Sequence, residues 1–261
     1  MNYSAVNDHI VKWLKDYSDQ SKTNGYVIGI SGGIDSSLTS ALCAQTGKRL
    51  LCLEMPIHQH ESQVSRARKH IEWLKENHSN VESLEVELTP IFESFKSIIP
   101  DSELASIDMA LVNTRARLRM TTLYCFAQLR GALVAGTGNK VEDFGVGFFT
   151  KYGDGGVDVS PIADLLKSDV RACAKELGVI DEIIDAAPTD GLWGDNRTDE
   201  DQIGATYPEL EWAMDHIAKA KTDEELTERQ HEVLKIYRRF NTTNKHKMIP
   251  IPICEIPVSL R

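Results

Sequence analysis

The apolar run Tyr26-Val27-Ile28-Gly29-Ile30 leads through Ser31-Gly32-Gly33-Ile34-Asp35-Ser36-Ser37 directly into a helix-like segment at residues 38–44. This strand–loop–helix unit constrains the chain more than any other feature. Two adjacent glycines let the backbone turn so that several N–H groups aim at one point. The helix N-terminus beyond adds positive potential, and Ser31, Ser36 and Ser37 add hydroxyl donors, so the loop is suited to holding phosphate. It lacks the Gly-Lys-Ser/Thr ending that puts a lysine on the β- and γ-phosphates in the usual P-loop. Asp35 stands there instead. A carboxylate beside polyphosphate is repulsive unless a metal ion lies between them, which points to Mg²⁺-pyrophosphate as the ligand. Read by itself, the segment also fits an ordinary strand–helix turn with Asp35 or Ser36 as N-cap.

The same order recurs along the chain. Residues 49–55 form a second short apolar run ending at Pro56, followed by a charged and apolar helical segment at 60–77. Residues 81–88 alternate imperfectly, a helical stretch runs from about 102 to 129, and the apolar 132–135 enters Gly136-Thr137-Gly138-Asn139. Repeated β-then-α order predicts an α/β fold, a doubly wound, mainly parallel, Rossmann-like sheet flanked by helices. Ligands bind outside the C-terminal ends of the strands in such sheets, so both Gly-rich loops are expected to face one site. Further on, 148–161 reads as a Gly- and Asp-rich loop, 165–177 as a helix, and 186–206 as a polar loop long enough for a functional lid or a disordered stretch. Residues 207–220 and 223–240 read as C-terminal helices leading to a polar joint at 241–247. With no repeats, low-complexity tracts or convincing linkers, residues 1–261 are expected to make one domain.

A formal charge of -10 argues against nonspecific binding to nucleic acid or to an anionic membrane. The charged residues Asp8, Lys12, Lys15, Asp16 and Asp19 give the N-terminus the pattern of an amphipathic helix and not of a signal peptide. No apolar run approaches the roughly 20 residues of a membrane span. The five cysteines, at 43, 52, 125, 173 and 254, lack CxxC spacing and lie in apolar surroundings. They read as reduced core residues of a cytoplasmic protein.

Ser31-Gly32-Gly33-Ile34-Asp35-Ser36 resembles the SGGxDS loop of the N-type ATP pyrophosphatases, which cleave ATP between the α- and β-phosphates to activate a carbonyl. Further segments extend the likeness: residues 113–120 (NTRARLRM), 136–142 (GTGNKVE), 147–156 (GFFTKYGDGG), 188–193 (PTDGLW) and His246-Lys247. In this order they resemble the motifs of ammonia-dependent NAD synthetase. The resemblance implies ATP-dependent amidation of deamido-NAD to NAD through a carboxyl-adenylate, with AMP and pyrophosphate released. It also implies roles for residues. Gly29, Ile30, Ser31, Gly32, Gly33, Ile34, Asp35, Ser36, Thr137, Lys167 and Thr189 would bind ATP; Arg117, Lys151, Asp158, His246 and Lys247 would bind deamido-NAD; Asp35 and Glu142 would hold Mg²⁺. Asp35, Lys151 and Lys167 would carry the catalysis. Family members are homodimers with the dinucleotide site near the two-fold interface. The apolar positions Met109, Leu111, Val112, Leu118, Met120, Leu123 and Phe126 could supply that interface.

Taken singly, these residues have plainer readings. Glu142 fits a solvated acid in a helix's first turn, and Lys167 an exposed helix lysine. Lys151 and Asp158 fit an ordinary mobile loop. Arg115 and Arg119 share a helix side while Arg117 points elsewhere, which also suits an ion-paired surface. Met248 stands where relatives often continue with a basic residue. Glutamine-dependent relatives carry a separate amidase domain, but only one helix precedes Ser31 and no cysteine reads as a nucleophile, so the expected nitrogen donor is free ammonia. Other readings of the loop are a different amide-forming or tRNA-modifying adenylase, or a nucleotide sensor without turnover.

Overall fold

The computed structural model describes residues 1–59, 61–100, 107–188, 198–220, 223 and 225–261. Its centre is a four-stranded parallel sheet in the order β3-β2-β1-β4. The strands are β1 (Gly25–Gly29), β2 (Arg49–Glu54), β3 (Val81–Glu85) and β4 (Leu133–Val134). β1 pairs Gly25 with Arg49 on one side and Tyr26 with Leu133 on the other, and Ala135 carries the pairing on to Val159. Gly25 is required here: its φ is +142°, and a Cβ would lie 2.0 Å from the Arg49 carbonyl oxygen.

Side-chain alternation along the strands divides the core. Tyr26, Ile28, Leu50 and Cys52 face α1 (Tyr3–Gln20), α2 (Ile34–Gln45) and α6 (Lys167–Glu176). Val27, Leu51, Leu53 and Val134 face the other way, toward α4 (Thr89–Lys96) and α5 (Asp108–Arg130). Both faces are therefore covered, as the βα repetition predicts for a doubly wound sheet. α3 (Glu61–Asn77) and α7 (Asp181–Ile184) complete the helical layers.

A third apolar cluster lies beyond the sheet. It joins Val141 and Val146 of the π-helix Lys140–Val146 to α8 (Asp199–Ile203), α9 (Tyr207–Ala218) and α10 (Glu228–Met248). Where 241–247 read as a polar joint, α10 continues through it to Met248. The polar residues are used as ties to the π-helix: the side-chain amides of Asn241 and Asn244 donate to the Gly145 and Val146 carbonyls at 2.8 and 2.9 Å. π-helices are short and concentrate at functional sites, and their carbonyls need such outside donors.

Other local readings shift. Residues 81–88 alternate imperfectly in sequence because the strand fills only part of them: β3 ends at Glu85 and α4 starts at Thr89 with Pro90 in its first turn. α8 forms within the stretch read as loop, capped by Thr198, whose hydroxyl accepts from Asp201 N at 3.1 Å. Cys43, Cys52 and Cys173 are buried, but Cys125 and Cys254 are exposed, so the reading of all five as core residues fails for two. Cys125 lies on α5 and faces away from the sheet, a direction helical spacing sets and apolar neighbours in sequence do not. No helix among the described residues is long and apolar enough to cross a membrane.

Candidate functional site

β1 ends at Gly29, and the chain turns through Gly32 at φ +80° into α2, whose N-cap is Gly33. Neither Asp35 nor Ser36 caps the helix, and no side chain accepts from its first N–H groups. Ser36 and Ser37 turn their hydroxyls back onto the Gly33 carbonyl at 3.0 and 2.9 Å, and the Ser31 and Ser36 hydroxyls lie 3.0 Å apart. The helix's orphan N–H donors thus face the loop, which is the arrangement that receives an anion.

Asp35 occupies the first turn of α2 and faces α6. Lys167 is the first residue of α6, a position where the helix dipole disfavours a cation. Its side chain is only 4% exposed, and its ammonium lies 2.5 Å from Asp35 Oδ2 and 2.8 Å from Glu142 Oε1. Two carboxylates therefore compensate one buried ammonium, and the exposed-lysine reading of Lys167 is overturned. Burial opposes the charged lysine, but Asp35 and Glu142 outweigh it and hold Lys167 above the ordinary lysine range. Asp35 is pushed up by burial and by Glu142, against the pull of Lys167. For Glu142 burial is overcome by Lys167, Tyr207 and Asn139, and its carboxyl falls below the usual range.

Asn139 fixes this geometry from inside the fold. Its side chain is fully buried; its Oδ1 accepts from Val141 N and Glu142 N at 3.0 and 3.1 Å, and its Nδ2 donates to Asp35 Oδ1 at 3.1 Å. One residue thus caps the π-helix and aims both acids. From α9, Tyr207 donates to Glu142 and lies under Lys167, with the ammonium 4.8 Å from its ring centre. Glu211 accepts from Ser168 N at 2.8 Å, so α9 also satisfies the start of α6.

These groups open onto a cavity of about 310 Å³ lined by Gly29, Ile30, Ser31, Gly32, Gly33, Ile34, Asp35, Ser36, Thr137, Glu142 and Lys167. The structure thus brings together, at the C-terminal ends of β1 and β4, every proposed ATP and metal residue except Thr189, which lies outside the described residues. Arg117, Lys151, His246 and Lys247 gather elsewhere. Arg117 donates to the Lys151 carbonyl at 3.4 Å, Lys151 to the His246 carbonyl at 2.7 Å, and Lys247 to the Phe149 carbonyl at 2.7 Å. Lys247 lines a second cavity of about 120 Å³ that shares Gly136, Gly138, Asp143 and Asp154 with the first. Asp158 stands apart from both. Its carboxylate accepts from Tyr124 Oη at 3.0 Å and Val134 N at 2.8 Å, which ties the 148–161 loop to β4.

Residues 6–250 match the family model described as NAD synthase. The chain belongs to the NAD synthase family. It is 38% identical over 230 residues to the NH(3)-dependent NAD(+) synthetase of Mesoplasma florum, covering 88% of this chain and 90% of that protein. It is 36% identical over 256 residues to the enzyme of the same description from Sulfurisphaera tokodaii, covering 96% and 88%. Among solved structures, it is similar to the NMN synthetase from Francisella tularensis, with TM-score 0.84, 31% identity and 99% of each chain covered. It also resembles the NH3-dependent NAD synthetase from Campylobacter jejuni, with TM-score 0.78, 25% identity and 98% and 100% covered.

The structure adds residues to the candidate site that sequence reasoning missed. Tyr207 has no local signal, because its partner Glu142 lies 65 residues away; Asn139 stands in a quoted segment, but its bond to Asp35 spans 104 residues. Arg66 reaches from α3 to the Gly32 carbonyl at 3.2 Å, and Arg119 reaches from α5 into the cavity wall. Arg66 reads in sequence as one charge in a charged helix.

Proposed function

We propose that the chain catalyses ATP-dependent amidation of deamido-NAD to NAD with ammonia, releasing AMP and pyrophosphate. The observation that carries this reading is the Lys167 ammonium held between Asp35 and Glu142 beside the Ser31-to-Ser36 loop. This constellation suits departure of pyrophosphate, because donors and a cation converge where negative charge collects. The uncapped start of α2 and the loop hydroxyls would bind the β- and γ-phosphates, and Thr137 and Thr189 the rest of ATP. The substrate carboxylate oxygen attacks the α-phosphorus and the bond to pyrophosphate breaks. Ammonia nitrogen then attacks the acyl carbon, AMP leaves, and a proton is released. Arg117, Lys151, Asp158, His246 and Lys247 are proposed for the dinucleotide, in a homodimer whose interface lies near them. The apolar residues first considered for that interface mostly serve the chain's own core: Leu111 is buried, and Leu118, Leu123 and Phe126 pack against the same cluster.

The residues present fit Mg²⁺. Asp35 and Glu142 offer hard carboxylate oxygens close enough to share one ammonium, and the described residues contain no larger cluster of His, Cys, Asp or Glu suited to a metal. Magnesium is usually held by one or two carboxylates together with substrate phosphates. When bound, the metal would neutralise charge on the departing pyrophosphate. The chain is proposed to act as one catalytic unit over residues 1–261, in the cytoplasm.

A second substrate is favoured by one observation, the likeness to an NMN synthetase over 99% of both chains. Nicotinic acid mononucleotide carries the same pyridine carboxylate without the adenylate half. The deciding assay supplies ATP, Mg²⁺ and ammonium with either acid. NAD, AMP and pyrophosphate from deamido-NAD support the main reading, and a higher kcat/KM for the mononucleotide would replace it by the second. ADP and phosphate as products would overturn both. A parallel arm with glutamine in place of ammonium should give no amide above background.

A further inference from the structure

Arg119 is a half-buried guanidinium in the wall of the larger cavity, and both of its hydrogen-bond partners are neutral oxygens. Its Nε donates to the Met55 carbonyl at 3.0 Å and its Nη2 to Gln59 Oε1 at 2.9 Å. The exposed arginines Arg68, Arg130, Arg229 and Arg238 each pair with a carboxylate. Arg119 has no such pair among the described residues, although burial and the neighbouring Arg115 both act against its charge. Asp154 acts the other way but makes no ion pair with it among the described residues; keeping a cation there without a paired carboxylate is unfavourable, and an anionic ligand would relieve it.

Its position says which anion. Leu123 lies one helical turn further along α5 and reaches Gly29: a Cβ on that glycine would lie 3.9 Å from the Leu123 methyl carbons and 3.0 Å from Met55 Cε. Arg119 therefore sits beside the end of β1, on the β2 side, while Asp35, Glu142 and Lys167 take the α2 and α6 side. On the amidation reading the pyrophosphate end of the nucleotide goes to the latter group, which leaves Arg119 facing the junction where the new acyl–phosphate bond would form.

We propose that Arg119 binds the oxyanion at this junction, either the α-phosphate of the nucleotide or the pyridine carboxylate that attacks it, by the planar two-donor recognition that guanidinium gives. This deepens the amidation reading and rests on it. Binding is measured by calorimetry on the full chain for wild type, Arg119→Gln and Arg119→Lys, using adenosine, AMP and deamido-NAD separately. Adenosine affinity should stay within about twofold. Affinity for AMP, if the α-phosphate is the partner, or for deamido-NAD, if the carboxylate is, should fall about tenfold or more in Arg119→Gln, as expected for a lost charge-assisted bond. Arg119→Lys should recover part of it, with midpoints of thermal unfolding close to wild type. Unchanged affinity for both anions, or an equal loss for adenosine, would overturn the proposal, and if Arg119→Gln does not fold, the same comparison in Arg119→Lys decides. Failure of wild type to bind AMP and deamido-NAD at all would instead strike at the amidation reading.

Discussion

The ammonium of Lys167 lies 2.5 Å from Oδ2 of Asp35, although 132 residues separate them in the chain. Replacing Lys167 by Met leaves Asp35 and Glu142 facing each other without a cation and removes charge from the proposed pyrophosphate side. We expect pyrophosphate release at saturating ATP to fall by roughly 10²–10³-fold, the usual cost of one preorganised electrostatic contact. A folded variant with the wild-type rate would show that Lys167 serves structure alone.

Tyr207→Phe removes the hydroxyl that donates to Glu142 while keeping the ring in its apolar cluster. A hydrogen bond to a charged group contributes about 1.5–3 kcal/mol, so the urea midpoint should drop correspondingly. The Glu142 carboxyl, relieved of one partner that holds it down, should titrate higher. An unchanged midpoint would mean that Lys167 and Asn139 suffice to fix Glu142.

Asn139→Ala removes the π-helix cap and the donor to Asp35 together. The lost cap alone should destabilise the fold by about 0.5–2 kcal/mol. Asn139→Asp keeps the acceptor for Val141 N and Glu142 N but sets a like charge against Asp35. It should retain more stability than the alanine variant at low pH than at high pH, as measured by chemical unfolding, because protonation relieves that repulsion.

His70 gives a pH dependence apart from the site. It is fully buried against Ser40, with Nε2 and Oγ 2.8 Å apart, and burial pulls its pKa down to about 4 from an ordinary 6.5. The folded protein therefore binds this proton less readily than the unfolded chain. The stability held by neutral His70 is complete above pH 6.5, declines as pH falls toward 4, and changes no further below that. The full loss is about 3 kcal/mol. In His70→Leu the corresponding slope between pH 6.5 and 4 should flatten, and an unchanged slope would assign the effect to other groups.

Much of the fold was legible because it is local. Short continuous apolar runs, glycines where the chain must turn, and strand-then-helix order suffice to indicate a parallel sheet with Ser31 to Ser36 at its C-terminal edge. The gap between β3 and α4 was not legible, since both halves of 81–96 carry apolar residues and only packing against the sheet face of Val27, Leu51 and Leu53 separates strand from helix. Nor was the continuation of α10, where Asn241 and Asn244 look like helix breakers until the π-helix carbonyls they satisfy are placed beside them.

By itself the sequence determined the Ser31-to-Ser36 loop, the residue types of the candidate site and the sheet that displays them. Those are set by short-range backbone preference and by the repeating pattern of apolar side chains. Only the tertiary structure decided that Lys167 is a buried counter-ion, that Asn139 reaches Asp35 while Tyr207 holds Glu142, and that Arg119 enters the cavity without a carboxylate partner among the described residues. Each depends on contacts across 25 to 132 residues. Charge in a sequence shows which ions exist, whereas burial and distance decide which of them must find one another.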